Sequence, residues 1–163
     1  MKKHKIVVDG FEWISPHERI SKYGPSNIPI KKESRTPLLW LAREEGELYL
    51  VNNSQETLDW VLVGTGGFQT LDEDVIPLRK PCSLFYEEVK PKDAVLLDTF
   101  DGIYDLDYLF QVSMLIQSEM LGRFEIRSPA GKGEIKETVL LWNTGELGKN
   151  VYCEKLITNL LNP

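Results

Sequence analysis

The sequence predicts a mainly β protein, an antiparallel β-sandwich with a short helix near each end of the chain. Short segments in which apolar and polar residues alternate follow one another at close spacing. Turn-forming residues separate these segments, and the intervals are too short for the helical crossovers that a parallel sheet requires. The length of 163 residues fits one domain, which can bury a core without metal or disulfide.

We therefore expect a single domain over 1–163 with three parts. Residues 1–37 supply an N-terminal strand, a short helix and an extended connection, 38–142 form the sandwich core, and 143–163 form a loop and a helix. A capping box at Ser15-Pro16-His17-Glu18 predicts the first helix over Pro16–Tyr23, before Gly24-Pro25.

The C-terminal helix is predicted from a cap and an apolar stripe. Asn150 can cap it. The stripe consists of Leu156, Ile157, Leu160 and Leu161.

The strands are predicted from period-two alternation and from the turns between them. The predicted strands are Lys5–Asp9, Leu38–Arg43, Glu47–Asn52, Thr57–Val63, Ser83–Val89, Ala94–Asp98, Leu106–Ile116, Arg123–Arg127 and Glu134–Trp142. The last two flank a glycine-containing loop and predict a hairpin. In Leu106–Ile116 every second residue is apolar, which favours a strand, although a buried helix over 104–121 is the alternative.

Part of the chain resembles an immunoglobulin-like sandwich. The resemblance lies in Leu48–Val63, where an Asn-Asn-Ser turn separates two apolar strands, and in Val89–Asp93 leading into Ala94–Leu97. The Cys…Trp…Cys spacing of true immunoglobulin domains is absent, so the resemblance is one of pattern and names no family.

Charge and cysteine content narrow the classes of partner and compartment. The formal net charge is −6, which disfavours nucleic acid because phosphate contacts need a basic face. No secretory signal or membrane-spanning apolar run is present, and Cys82 and Cys153 are distant in sequence. We therefore expect a cytoplasmic protein without nucleic-acid or membrane contacts, whose thiols are buried and inert.

The glycine run Gly64-Thr65-Gly66-Gly67 follows an apolar strand, as a phosphate-binding loop would. It lacks the third glycine of the dinucleotide fingerprint, and no Lys-Ser or Lys-Thr follows it. The residues that do follow are acidic and would repel phosphate. The run therefore predicts a tight turn or a bulge.

The densest polar cluster in the sequence is acidic, and its members are Asp98, Asp101, Asp105 and Asp107. We take these four as candidate binding residues. Their spacing does not match a calcium loop of the EF-hand type, and turn stabilisation through backbone N–H groups is the competing interpretation. Two of them facing each other across a cleft could also form a carboxylate pair for hydrolysis.

The histidines and tryptophans are expected to be structural. His4 and His17 do not lie where a nucleophile system or a zinc site would need them. Trp60 and Trp142 fall within strand patterns, which predicts core positions. Trp13 is predicted to pack as a hydrophobic lock over the domain.

These observations favour a non-catalytic intracellular protein-interaction or regulatory module over an enzyme. The sequence offers no plausible nucleophile or cofactor loop, so we expect no cofactor, and the acidic charge favours a basic or neutral protein partner. The alternatives are a small hydrolase that uses a carboxylate pair and a structural component of a larger assembly.

Overall fold

A computed structural model describes residues 4–15, 33–71, 74–77, 82–100 and 109–155, and it describes 65–71, 74–77 and 82–83 through the backbone alone. Its strands are β1 (Ile6–Val8), β2 (Pro37–Glu44), β3 (Glu47–Asn52), β4 (Leu58–Leu71), β5 (Asp74–Pro77), β6 (Cys82–Val89), β7 (Asp93–Thr99), β8 (Leu109–Ser118), β9 (Gly122–Arg127), β10 (Gly131–Lys132), β11 (Thr138–Trp142) and β12 (Tyr152–Lys155). Among these residues there is no helix. The mainly β prediction is confirmed.

The strands form two antiparallel sheets. One has five strands in the order β1-β7-β3-β2-β11, and the other has seven, in which β12-β9-β8-β4-β5 is joined by β6 on β4 and β10 on β8. The chain crosses from one sheet to the other between β3 and β4, after β6, after β7, after β10 and after β11. Strands that are neighbours in a sheet are therefore often distant in sequence.

The inner faces of the two sheets share one hydrophobic core. Leu41 and Leu50 from the five-stranded sheet pack in the same cluster as Val63 and Met114 from the seven-stranded sheet. In β8 the side chains at 110, 112, 114 and 116 are all buried, and those between them are more exposed. The strand prediction is confirmed over Leu109–Ser118 and the helix alternative is wrong there, while 101–108 lie outside the described residues.

The glycine run does not form a turn or a bulge, so that prediction is wrong. Gly64, Gly66 and Gly67 continue β4 and pair in regular register with β8. Along Leu58–Thr65 the opposite edge of β4 is paired with β6. The backbone hydrogen bonds that β4 makes with its neighbouring strands stabilise the extended conformation more than the low strand preference of glycine opposes it.

β5 and β6 both pair with β4, each in antiparallel orientation. Phe68 pairs with Pro77 and Thr65 pairs with Cys82. Between these two pairs β4 advances by three residues and the other chain segment advances by five.

The outer face of the five-stranded sheet is covered by an outer aromatic layer. Trp40 and Tyr49 are buried there. Phe11 contacts Tyr49 at 5.1 Å between ring centroids, and Trp13 meets Trp40 edge-on at 5.5 Å. The prediction that Trp13 packs as a lock is confirmed, and this sheet is apolar on both faces.

The predicted hairpin between 123–127 and 134–142 is wrong. β9 pairs with β8 and β12, whereas β11 pairs with β2 in the five-stranded sheet. The side chains of β11 supply the reason. Leu140 belongs to the inner core, and Val139 and Trp142 belong to the outer aromatic layer. A strand that is apolar on both faces is most stable in the sheet that is covered on both faces.

The terminal helices are not observed among the described residues. Asn150 has a φ of 62° and does not cap a helix, because Tyr152–Lys155 forms strand β12 against β9. Pairing with the free edge of β9 satisfies backbone groups that a helix would otherwise have to satisfy internally. The predicted helix over Pro16–Tyr23 and the stripe over 156–161 lie outside the described residues.

Tyr86 ties the two sheets together at one edge. Its hydroxyl donates to the Leu96 carbonyl at 2.6 Å and accepts from the Lys5 N–H at 3.3 Å. Burial raises the pKa of the Tyr86 phenol, which keeps it protonated as a donor.

We expect Tyr86→Phe to lower the free energy of unfolding by about 1–3 kcal/mol, because a buried carbonyl loses its donor. Urea denaturation measures this loss. Tyr152→Phe is the matched control, since that residue is exposed and its hydroxyl donates to the exposed Glu154, and it should leave stability unchanged. Equal stability of Tyr86→Phe and the wild type would contradict the proposed tie.

Candidate functional site

The structure describes one of the four candidate aspartates. Asp98 lies in β7 with 1% of its surface exposed, and its Oδ1 accepts from the Thr99 N–H at 2.8 Å. Asp101, Asp105 and Asp107 lie outside the described residues, so the structure does not test whether the cluster forms. Within the described ranges no three His, Cys, Asp or Glu side chains are grouped to hold a metal.

A cleft lies beside β11, and we call it the β11 cleft. Its volume is about 1010 Å3. Its walls are β11, the segment 129–137, the turn 147–150, and Trp13, Glu33 and Arg35 from the N-terminal part of the chain. A cleft of this size is large enough for a short peptide segment or a comparable ligand.

Aromatic and guanidinium groups line one wall of the β11 cleft. Trp13 and Trp142 meet edge-on with 5.8 Å between ring centroids. The Arg35 guanidinium lies 4.1 Å from the centre of the Trp142 ring. Glu33 holds Arg35 through Nε to Oε1 at 2.7 Å and Nη2 to Oε2 at 2.9 Å, a bidentate pair that fixes the cation over the ring.

The charges in the β11 cleft are unevenly paired. Glu33 and Glu134 form ion pairs with Arg35 and Arg43 at 2.7 and 3.2 Å. Three exposed lysines also line the cleft, and none of them has an ion-pair partner in the described parts of the chain; they are Lys132, Lys136 and Lys149. Glu137 is the third carboxylate of the lining, so the lining holds four cationic side chains, three lysines and Arg35, against three carboxylates.

Two glycines permit close backbone approaches in the walls of the β11 cleft, Gly148 against β11 and Gly131 within the segment 129–137. A Cβ at Gly148 would lie 1.7 Å from the Val139 carbonyl oxygen, and a Cβ at Gly131 would lie 2.2 Å from the Glu134 carbonyl oxygen. Only glycine permits these approaches. The Gly148 N–H donates to the Leu140 carbonyl at 3.0 Å, which fixes the turn 147–150 against β11.

The second candidate surface is the outer face of the seven-stranded sheet. Leu62 is 38% exposed and Phe85 is 48% exposed, while Trp60 and Leu115 are half-buried. Trp60 lies 6.2 Å from Phe85 between ring centroids. Trp60 belongs to neither core cluster, so its predicted core position is wrong, whereas the burial predicted for Trp142 is confirmed.

Polar groups on β8 and β9 border this apolar area. Arg123 lies 5.3 Å from the Trp60 ring centre and donates from Nε to Gln117 Oε1 at 2.7 Å. Glu125 accepts from Arg127 Nε at 2.7 Å and from Ser113 Oγ at 3.0 Å. The hydrogen bond from Arg127 lowers the pKa of the Glu125 carboxyl, and the bond from Ser113 adds to the effect.

Cys153 agrees with the prediction of an inert thiol. It is free, half-buried and packed against the inner core. Burial raises its pKa, so the thiol stays protonated near neutral pH and is a poor nucleophile. The side chain of Cys82 lies outside the described part of the structure.

Sequence reasoning missed the residues of both surfaces. Lys132 lies in β10, Lys136 lies in the segment after it and Lys149 lies in the turn 147–150, and only the fold brings them to one cleft. A signal for the exposed sheet face was present in β6, where Phe85 falls between the inward-facing Leu84 and Tyr86. An aromatic residue at an outward position of an alternating strand marks such a face.

No helix along the described parts of the chain is long and apolar enough to cross a bilayer. A scan against protein-family models, a search of curated proteins and a search of solved structures each found no significant match to this chain.

Proposed function

We propose that this chain is a non-catalytic protein-binding module and that its binding site is the β11 cleft, which takes an extended acidic segment of a partner protein. The observation that carries the proposal is the combination of three unpaired lysines with a tryptophan wall. The lysines would bind carboxylates and the tryptophans would pack against the apolar part of the segment.

The overall charge of −6 favours a basic or neutral partner, so an acidic one needs explanation. Charges separated by more than the screening length of about 8–10 Å contribute little in physiological salt. The charges that line the cleft therefore determine which peptide segment binds there. Among them, Glu33 and Glu134 are already neutralised by ion pairs with Arg35 and Arg43. With Glu137 included, the charged side chains that line the cleft still have an excess of one positive charge, which favours an acidic segment.

We also propose that the two sheets form an immunoglobulin-like sandwich. The strand order supports this, because β2, β3 and β7 adjoin in one sheet while β6, β4, β8 and β9 adjoin in the other. This is the alternation between sheets that immunoglobulin-like domains follow, without their conserved disulfide and tryptophan. Such scaffolds commonly bind through connecting loops, and loops supply two walls of the β11 cleft.

We expect a fluorescein-labelled peptide that combines Asp and Glu with one Phe to bind more tightly than the same peptide with Asn and Gln. Fluorescence anisotropy measures both affinities. Lys132→Glu combined with Lys149→Glu should weaken binding of the acidic peptide at least about tenfold, because each reversal replaces attraction by repulsion.

The control is Lys90→Glu combined with Lys155→Glu, which changes the net charge equally at two exposed lysines that do not line the cleft. It should bind the acidic peptide almost as the wild type does. The proposal fails if the two peptides bind equally well or if the control loses as much affinity as the cleft variant.

A further inference from the structure

We infer that the outer face of the seven-stranded sheet is the contact surface of a symmetric dimer, whose occupant is a second copy of this chain. The apolar centre of this face is Leu62, Phe85, Trp60 and Leu115. The outer face of the other sheet carries its own covering layer, which includes Phe11 and Trp13, whereas Leu62 and Phe85 stay exposed. An exposed apolar patch rimmed by charges is typical of an interaction site.

The register of the sheet arranges the face in rows across the strands. The first row runs from β6 to β9 as Glu87, Trp60, Gln117 and Arg123. The second row, two residues along the strands, is Phe85, Leu62, Leu115 and Glu125. Both rows are therefore apolar near β4, but the first carries an acid at its β6 end and a base at its β9 end.

This charge order is complementary to itself under one twofold axis. An axis that lies in the interface, parallel to the strands and between β4 and β8, places each row against the reversed row of the second copy. Glu87 then faces Arg123 of the second copy, and Leu62 faces its Leu115. Phe85 meets Glu125, whose Oε1 is held by Arg127 and Ser113 within its own chain.

The alternative twofold axis, perpendicular to the strands and through the second row, is disfavoured by charge. This axis would place the first row against the third row of the second copy. The third row contains Gly64, Ser113 and Arg127, which are neighbours across β4, β8 and β9. Arg123 would then face Arg127 of the second copy. Like charges placed opposite each other in an interface are strongly unfavourable, so the axis parallel to the strands is favoured over this perpendicular axis.

The first test uses charge reversal and sedimentation equilibrium. The wild type should form a dimer at micromolar concentrations. Glu87→Arg or Arg123→Glu alone should weaken the homodimer at least about tenfold, because each creates two like-charge contacts. A 1:1 mixture of the two variants should associate as a heterodimer, since both cross-chain pairs are then opposite in charge. Glu119→Arg, in the β8–β9 turn, is the matched control and should leave dimerisation unchanged.

The second test blocks the face without disturbing the fold. A Cβ at Gly64 would meet only the Ser113 carbonyl oxygen, at 3.8 Å, so a side chain fits there. Gly64→Arg should keep the thermal stability of the monomer and abolish the dimer. The inference is wrong if the wild type remains monomeric at 100 µM. That concentration is an order of magnitude or more above the micromolar range in which the dimer is expected to form. It is also wrong if the mixed charge-reversal variants fail to associate although each variant is folded by circular dichroism.

Discussion

Asn52→Asp is expected to lower the free energy of unfolding by about 3–5 kcal/mol. Asn52 is fully buried at the end of β3. Its Nδ2 donates to the Glu56 and Val89 carbonyls at 2.9 Å each, and its Oδ1 accepts from the Ser54 N–H and hydroxyl. An ionised carboxylate keeps the acceptor role and loses both donations.

The loss is large because Asn52 connects the two sheets. Val89 ends β6 in the seven-stranded sheet, so its bond with Asn52 joins the layers across the core. Urea denaturation followed by tryptophan fluorescence measures the change. Gln55→Ala, in the same turn at an exposed position, is the control and should cost less than about 0.5 kcal/mol. A loss below about 1 kcal/mol for Asn52→Asp would show that the turn adjusts to the change.

Trp40→Ala is expected to cost about 3–5 kcal/mol, whereas Trp60→Ala should cost less than about 1 kcal/mol. Both tryptophans point outward from a sheet. Trp40 is 2% exposed beneath Trp13 and Phe11, while Trp60 is half-buried on the open face. Guanidinium denaturation of both variants, at one low protein concentration that avoids association, compares them directly.

Trp40→Phe separates the loss of volume from the loss of the indole N–H. Nε1 of Trp40 is buried and has no acceptor among the residues that the structure describes. Phenylalanine keeps most of the aromatic packing and removes this unpaired donor, so we expect a cost below about 1.5 kcal/mol. Equal losses for Trp40→Ala and Trp60→Ala would mean that the outer aromatic layer does not act as a second core.

Local pattern was sufficient to predict most of the strands. The alternation in β8 and β9 and the turn at Glu45-Gly46 determine which side chains face inward, whatever their distant partners. What local pattern does not contain is the choice of sheet. β11 follows β9 in sequence, yet its apolar residues on both faces place it beside β2. The continuation of β4 through its glycines likewise depends on β8, which is distant in sequence.

The candidate surfaces were less predictable than the strands. An acidic cluster is visible in a sequence because its members are close together, and only Asp98 of that cluster lies in the described structure. The lysines of the β11 cleft become neighbours only after β10 has paired with β8 and the turn 147–150 has folded against β11. The sheet face depends on knowing that β4 has its neighbours β6 and β8 on opposite edges.

The repeated passage of the chain between the two sheets has a kinetic consequence. Neither sheet is complete until late in the sequence, because β11 finishes one and β12 finishes the other. Closing such long loops costs chain entropy before the distant strand pairs form. We therefore expect a folding time of milliseconds to seconds, as is typical of β proteins, rather than the microseconds of helical bundles. During synthesis, the edge of β2 that pairs with β11 and the edge of β9 that pairs with β12 stay unpaired until those strands are made. A ribosome-bound chain that ends before residue 138 would expose both edges.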